Sequence, residues 1–176
     1  MNKLVVISGC SGGGKSTLLG ELRNRGYSVV EEPGRRIIAE EWEAGGRALP
    51  WIDVEAFARR AIAMSMEDIA SCAERQQWVF FDRGLIDAAS GLSHITGEPI
   101  SRFLNDCTAY HRKVFLTPPW PKIYAVDADR RHTFSDAVEE YERLVEVYPA
   151  IGYEIDILPR TTVQLRADYV LQHLNE

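Results

Sequence analysis

Apolar residues fall along this chain in short unbroken runs separated by longer stretches with helical spacing. Residues 3–8 carry the run Leu4-Val5-Val6-Ile7 and read as a buried strand. Residues 15–24 follow as a helix that Gly26 closes. A second strand spans 27–31 and ends in Glu31-Glu32-Pro33-Gly34. Residues 35–44 are helical, with Ile37, Ile38 and Trp42 on one side and Gly45-Gly46 as the stop. Asp53 is placed to cap a long helix running to about residue 76, anchored by Val54, Phe57, Ala61, Met64 and Ile69.

Residues 78–82 form a third strand, apolar until its last residue, as parallel strands covered on both faces tend to be. Two helices, 85–92 and 102–109, lead to a fourth strand at 113–117. Pro118, Pro119 and Pro121 then impose an extended or turning path. An irregular, charged stretch with Asp127, Asp129, Arg130 and Arg131 follows, and 118–135 reads as a lid. Ser135 is the expected cap of a helix over 135–148; a fifth strand at 153–158 and a helix at 162–174 close the chain. The pattern predicts an α/β fold, a doubly wound, five-stranded, mostly parallel sheet in a single domain over 1–176. In such a sheet ligands bind at the carboxyl ends of the strands. The unusual residues gather there: a Gly-rich turn after the first strand, Glu31-Glu32-Pro33 after the second, Asp82-Arg83 after the third, and Pro159-Arg160 after the fifth.

Composition adds limits. A chain of 176 residues, 45% hydrophobic and 26% charged, suffices for one ordinary core. A net charge of -6 argues against broad binding to nucleic acid or an anionic membrane. Cys10, Cys72 and Cys107 have neither zinc spacing nor a disulfide pattern. The four histidines, His94, His111, His132 and His173, show no metal-ligand spacing. The first apolar run is too short for a signal peptide or membrane span. A cytoplasmic protein without membrane or nucleic-acid partners is expected.

The Gly-rich turn, Gly9-Cys10-Ser11-Gly12-Gly13-Gly14-Lys15-Ser16-Thr17, has the Gly-x-x-x-x-Gly-Lys-Ser pattern of a P-loop. Glycines let successive N–H groups point into one concavity, which opens at a helix N-terminus that favours an anion. Lys15 is expected to reach the β- and γ-phosphates of ATP, and Ser16 to ligate Mg²⁺. Thr17 reads as a first-turn residue whose hydroxyl can touch the α-phosphate, and Cys10 as a small filler. Asp82 has the place of the strand-end carboxylate that holds Mg²⁺, against an ordinary cap. Arg83 reads as a phosphate clamp or a surface ion pair.

Strand alternation sends Glu31 and Glu32 to opposite faces, and Glu32 is preferred as the base that accepts a substrate hydroxyl proton. Asp87 either lines an acceptor pocket or is a solvated helix residue. Arg35 and Arg36 either bind the acceptor or pair with carboxylates such as Glu40. Arg130 and Arg131 are expected to close over the phosphates, unless they merely pair with Asp127 and Asp129. Pro159 and Arg160 are placed where a nucleotide base would rest.

The stretches GCSGGGKSTLL (9–19), VVEEPGRRII (29–38), FFDRGLIDA (80–88), VFLTPPWPKIYAVDADRRHTFSDAVEEY (114–141) and GYEIDILPRTTVQLRADYVL (152–171) together resemble the AAA-28 type of predicted ATPases. That grouping lies among P-loop kinase-like proteins and includes ribosylnicotinamide kinase domains. Glu32-Pro33 and Asp82-Arg83 are similar to elements of deoxynucleoside kinases, where the glutamate is the base and the arginine touches phosphates. Gly84 stands where that family has serine. The resemblance implies ATP binding without naming an acceptor. Arg83 stands where motor ATPases place a second carboxylate, so transfer of phosphate to a small hydroxyl-bearing acceptor is expected before bare hydrolysis or a nucleotide-dependent switch.

Overall fold

The computed structural model describes residues 2–104, 109–124 and 133–174. Its strands are β1 (Leu4–Gly9), β2 (Ser28–Val30), β3 (Val79–Asp82), β4 (Lys113–Thr117) and β5 (Glu154–Ile157). The helices are α1 (Lys15–Asn24), α2 (Pro33–Ala44), α3 (Val54–Cys72), α4 (Leu85–Thr96), α5 (Phe134–Ala150) and α6 (Val163–His173). The strands form one sheet in the order β2-β3-β1-β4-β5, with every pair parallel.

Side-chain alternation splits the core in two. Leu4 and Val6 of β1, Phe81 of β3 and Leu116 of β4 face one apolar layer, with Ile62, Leu92 and Leu144 from α3, α4 and α5. Val5, Ile7, Phe80 and Phe115 face the other, with Leu18, Leu22 and Val170 from α1 and α6. Helices therefore cover both faces, and the central strands are apolar at successive positions because both sides are buried. The edges differ: in β5 Glu154 and Ile157 are exposed, and β2 has only three residues. From β1 the chain runs first toward the β2 edge and later toward the β5 edge. The turn after β1 thus sits where the winding reverses, the usual ligand crevice of an open α/β sheet.

Two local expectations are corrected. The helix expected over 102–109 is a single 3-10 turn, Ile100–Phe103, started by Pro99, and 105–108 lie outside the described residues. Thr133, not Ser135, caps α5: its hydroxyl accepts from the Asp136 N–H (3.2 Å) while the Asp136 carboxylate accepts from the Thr133 N–H (2.8 Å). This reciprocal box satisfies two orphan donors, which a cap two residues later would leave open.

Candidate functional site

The turn between β1 and α1 is set by close packing against β4. A Cβ on Gly9, at φ +106°, would lie 2.4 Å from the Thr117 carbonyl oxygen, so no other residue fits without moving backbone. The Cys10 N–H donates to that carbonyl at 2.9 Å. Cys10 itself is wholly buried, and burial pushes its thiol pKa up. Its side chain packs inside the fold, while its carbonyl faces the loop's lysine. Gly14, at φ +83°, precedes α1, and no side chain caps that helix. The first-turn N–H groups are therefore available to an anion.

Lys15 is buried and folds back on its own loop, donating to the Cys10 carbonyl at 2.9 Å and the Gly9 carbonyl at 3.2 Å. Burial first, and then the Arg83 charge, lower its pKa to about 8, although Asp82 and Glu32 pull the other way. Asp82, at the end of β3, is 7% exposed and its Oδ1 has no hydrogen-bond partner among the described residues. Burial and the neighbouring Glu32 raise its pKa to about 6, against the opposing pull of Lys15 and Arg83.

This shift has a sign that stability measurements can read. Asp82 holds its proton more tightly folded than unfolded, so the fold is relieved at low pH and carries the full penalty above about pH 6. Asp82→Asn is expected to stabilise the ligand-free protein at pH 8 by about 1–3 kcal/mol, roughly 3–10 °C in Tm. Thermal melts from pH 4 to 8 check this: the gain should shrink toward pH 4, and a gain independent of pH would refute the assignment.

Arg83 follows at φ +63°, left-handed backbone unusual for a side chain other than glycine. Its guanidinium is bidentate to Glu140 of α5 (2.8 and 2.9 Å) and approaches Glu32 at 3.5 Å and Asp87 at 3.6 Å. It is neither a surface ion pair nor a bare cation. Burial alone would raise Glu140's pKa, but the charge and hydrogen bonds of Arg83 hold it below the usual value. Asp87 is not solvated: it accepts from the Ser8 hydroxyl, the Tyr148 hydroxyl (2.6 Å) and the Gly84 N–H (3.0 Å).

Two cavities meet at these residues. One, of about 340 Å³, is walled by Ser11, Gly12, Gly14, Lys15, Ser16, Thr17, Glu32, Asp82 and Arg83, and on its far side by Trp120, Ile123, Thr161 and Arg166. The other, of about 490 Å³, lies between α2, α3, α4 and α5, with Ile38, Phe57, Ala61 and Ile95 on its apolar walls and Asp87, Glu140 and Arg143 among its polar groups. Ser11, Glu32, Arg35 and Arg83 line both. Glu31 points elsewhere, 67% exposed and paired with Arg23. Arg35 pairs with Glu32 at 3.4 Å, whereas Arg36 is tied to Asp68 at 2.7 Å.

Pro159 and Arg160, expected beside a nucleotide base, line neither of these two cavities, and the Arg160 guanidinium donates twice to the Pro119 carbonyl (3.0 and 2.7 Å). Thr161, Val163 and Arg166 stand on the cavity wall instead. Sequence reading missed Glu140 and Arg166. Both sit in amphipathic helices, where a charged residue gives no sign of facing inward. Arg130, Arg131, Asp127 and Asp129 lie outside the described residues, as does most of the expected lid's second half.

A Gly-rich turn between a central parallel strand and a helix, with a buried lysine at its end and a strand-end aspartate beside it, defines a P-loop NTPase, here of kinase-like build. Residues 4–166 match the AAA_28 family, described as an AAA domain, and the chain belongs to that family. No curated protein matches it in sequence. Among solved structures, deoxyadenosine kinase from M. mycoides, with dCMP and a flexible dCDP bound, superposes with a TM-score of 0.68 at 13% identity, covering 98% of each chain. Thymidylate kinase from Ehrlichia chaffeensis gives 0.65 at 17% identity, covering 99% of each. Shikimate kinase from Acinetobacter baumannii, in complex with shikimate, gives 0.62 at 15%, covering 99% of this chain and 94% of that one. At these identities the likeness is one of fold. Among the described residues no helix is long and apolar enough to cross a membrane.

Proposed function

We propose that the protein is an ATP-dependent kinase that transfers the γ-phosphoryl group to a hydroxyl of a small acceptor such as a nucleoside. The observation that carries this reading is the shared wall: Glu32 and Arg83 border both the cavity beside the P-loop and the larger cavity next to it. A bare hydrolase needs only the first. The triphosphate is assigned to the cavity of Lys15, where the glycine N–H groups and α1 N-terminus receive oxyanions. The acceptor is assigned to the cavity between α2 and α5, whose apolar walls and few polar groups suit a small organic molecule.

In this reading the acceptor oxygen bonds to the γ-phosphorus as the bond to the β–γ bridging oxygen breaks, and ADP leaves. Glu32 takes the hydroxyl proton, and Lys15 and Arg83 offset charge on the phosphoryl oxygens. Asp82 and Ser16 suit a Mg²⁺ ion, because the unpartnered Oδ1 of Asp82 and a hydroxyl are hard oxygen donors. Bound there with the nucleotide, the ion would supply charge neutralisation at the phosphates.

Release of ADP from ATP, followed across a panel of nucleosides, deoxynucleosides, sugars and cofactor precursors, tests the proposal. Acceptor-dependent release with a phosphorylated product is expected. Release indifferent to every acceptor would make the protein an NTPase, and tight ATP binding with no release would make it a switch.

A further inference from the structure

Arg166, in the first turns of α6, differs from the site's other buried cations. Lys15 feels the carboxylates of Asp82 and Glu32, and Arg83 is held by Glu140. Arg166 is only 3% exposed, yet no carboxylate pairs with it among the described residues. Its Nη2 donates to the Gly13 carbonyl at 3.2 Å, its Nη1 makes a long contact with the Gly14 carbonyl at 3.5 Å, and its Nε is buried without a partner. Burial is the one cause that lowers its pKa. The side chain borders the P-loop cavity, with its Cζ 5.8 Å from the centre of the Trp120 ring across the same wall.

A buried guanidinium with one orphan N–H and no counter-charge among the described residues is costly unless an anion completes it. Backbone carbonyls accept hydrogen bonds but neutralise nothing. We infer that Arg166 is a phosphate-binding residue of this site, a cation supplied by the last helix in addition to Lys15, and that the anion it lacks is a phosphate of the bound nucleotide. This assignment rests on the nucleotide-binding reading of the P-loop cavity. It adds a contact that no part of the Gly-rich motif encodes. Where the motif supplies N–H groups and one ammonium, Arg166 brings a planar fork suited to two phosphate oxygens.

Calorimetry on wild type, Arg166→Met and Arg166→Lys, with ATP, ADP, tripolyphosphate and adenosine as ligands, tests the inference. Arg166→Met is expected to weaken ATP, ADP and tripolyphosphate by about 10- to 100-fold, the worth of a hydrogen bond to a charged group. Adenosine should bind alike to both proteins, and Arg166→Lys should recover part of the polyphosphate affinity. The ligand-free Tm of Arg166→Met should equal or exceed that of wild type, since a buried charge with no carboxylate partner among the described residues has gone. A lower Tm with unchanged affinity per folded molecule would make Arg166 a structural clamp on the Gly13 carbonyl and overturn the inference. Equal losses for adenosine and tripolyphosphate would overturn it too. If Arg166→Met does not fold, failure of tripolyphosphate to raise the wild-type Tm while ATP does raise it would still refute a phosphate role. If wild type bound no nucleotide at all, the P-loop reading itself would fall, an outcome distinct from these.

Discussion

Replacing Glu32 by Gln is expected to lower turnover with the acceptor by about 10²–10⁴-fold, the range of a lost general base, while the affinity for ATP changes by less than about threefold, near 0.6 kcal/mol. Gln keeps the volume and one acceptor oxygen but cannot take up a proton. Two neighbours make the outcome specific. Glu32 also touches Arg35 (3.4 Å) and Arg83 (3.5 Å), so a purely structural role would loosen both arginines. Arg83 keeps its bidentate partner Glu140 in the variant, and the cavity wall should survive. Single-turnover kinetics separate the steps: the chemical step should slow and ATP binding should not. Turnover equal to wild type would remove Glu32 from the reaction, and an equal loss of ATP affinity would make it a nucleotide-site residue.

Lys15→Met is expected to weaken ATP binding by at least about 100-fold, or 2.7 kcal/mol, and to bring turnover to background. Methionine preserves the aliphatic bulk and removes the charge. In the ligand-free protein the Lys15 pKa lies near 8, below its ordinary 10.5, because burial disfavours the ammonium. A polyanion beside it favours that ammonium, so binding near pH 8 takes up a proton, and wild-type affinity should fall as pH rises from 7 through 9. Titrations in buffers of differing ionisation enthalpy measure the uptake. It should vanish in Lys15→Met, and pH-independent binding by wild type would contradict the assignment. The linked stability runs the other way. A lysine with a depressed folded pKa penalises the fold below about pH 8 and stops doing so toward pH 10.5. Lys15→Met should therefore melt no lower than wild type at pH 7 despite losing its ligand.

Much of the architecture could be read from local signals. The bounds expected for the helix over 15–24 and the strand over 113–117 coincide with α1 and β4, and the other strands deviate by about a residue at their ends. These elements carry their own instructions: unbroken apolar runs, glycine stops, and Asp53, whose carboxylate accepts from the Ala56 N–H three residues on (2.9 Å). The Gly-rich loop was legible for the same reason, since its conformation depends on residue type at fixed offsets. Glu140 and Arg166 were not. Arg83 meets Glu140 across 57 residues and Gly13 meets Arg166 across 153, and in each case tertiary packing gives a helix-surface charge its task. The sequence places Arg160 just after β5, while the direction of its guanidinium is settled by the Pro119 carbonyl, on another loop. Apart from Glu32-Pro33, the larger cavity was not legible in the sequence, because α2, α3, α4 and α5 each contribute a few residues from distant parts of the chain.

The convergence of Glu32, Asp87 and Glu140 on Arg83 also bears on how this chain can diverge. The three acids come from the start of α2, the first turn of α4 and the middle of α5, so no single segment owns the cluster. Loss of the arginine alone strands three carboxylates around one space, and loss of one acid leaves the others to share its charge. Drift at these four positions is therefore not independent. Lineages should inherit them as a block or exchange several at once, and a descendant that keeps Lys15 and Asp82 but has rewritten this quartet would be the place to look for a changed acceptor.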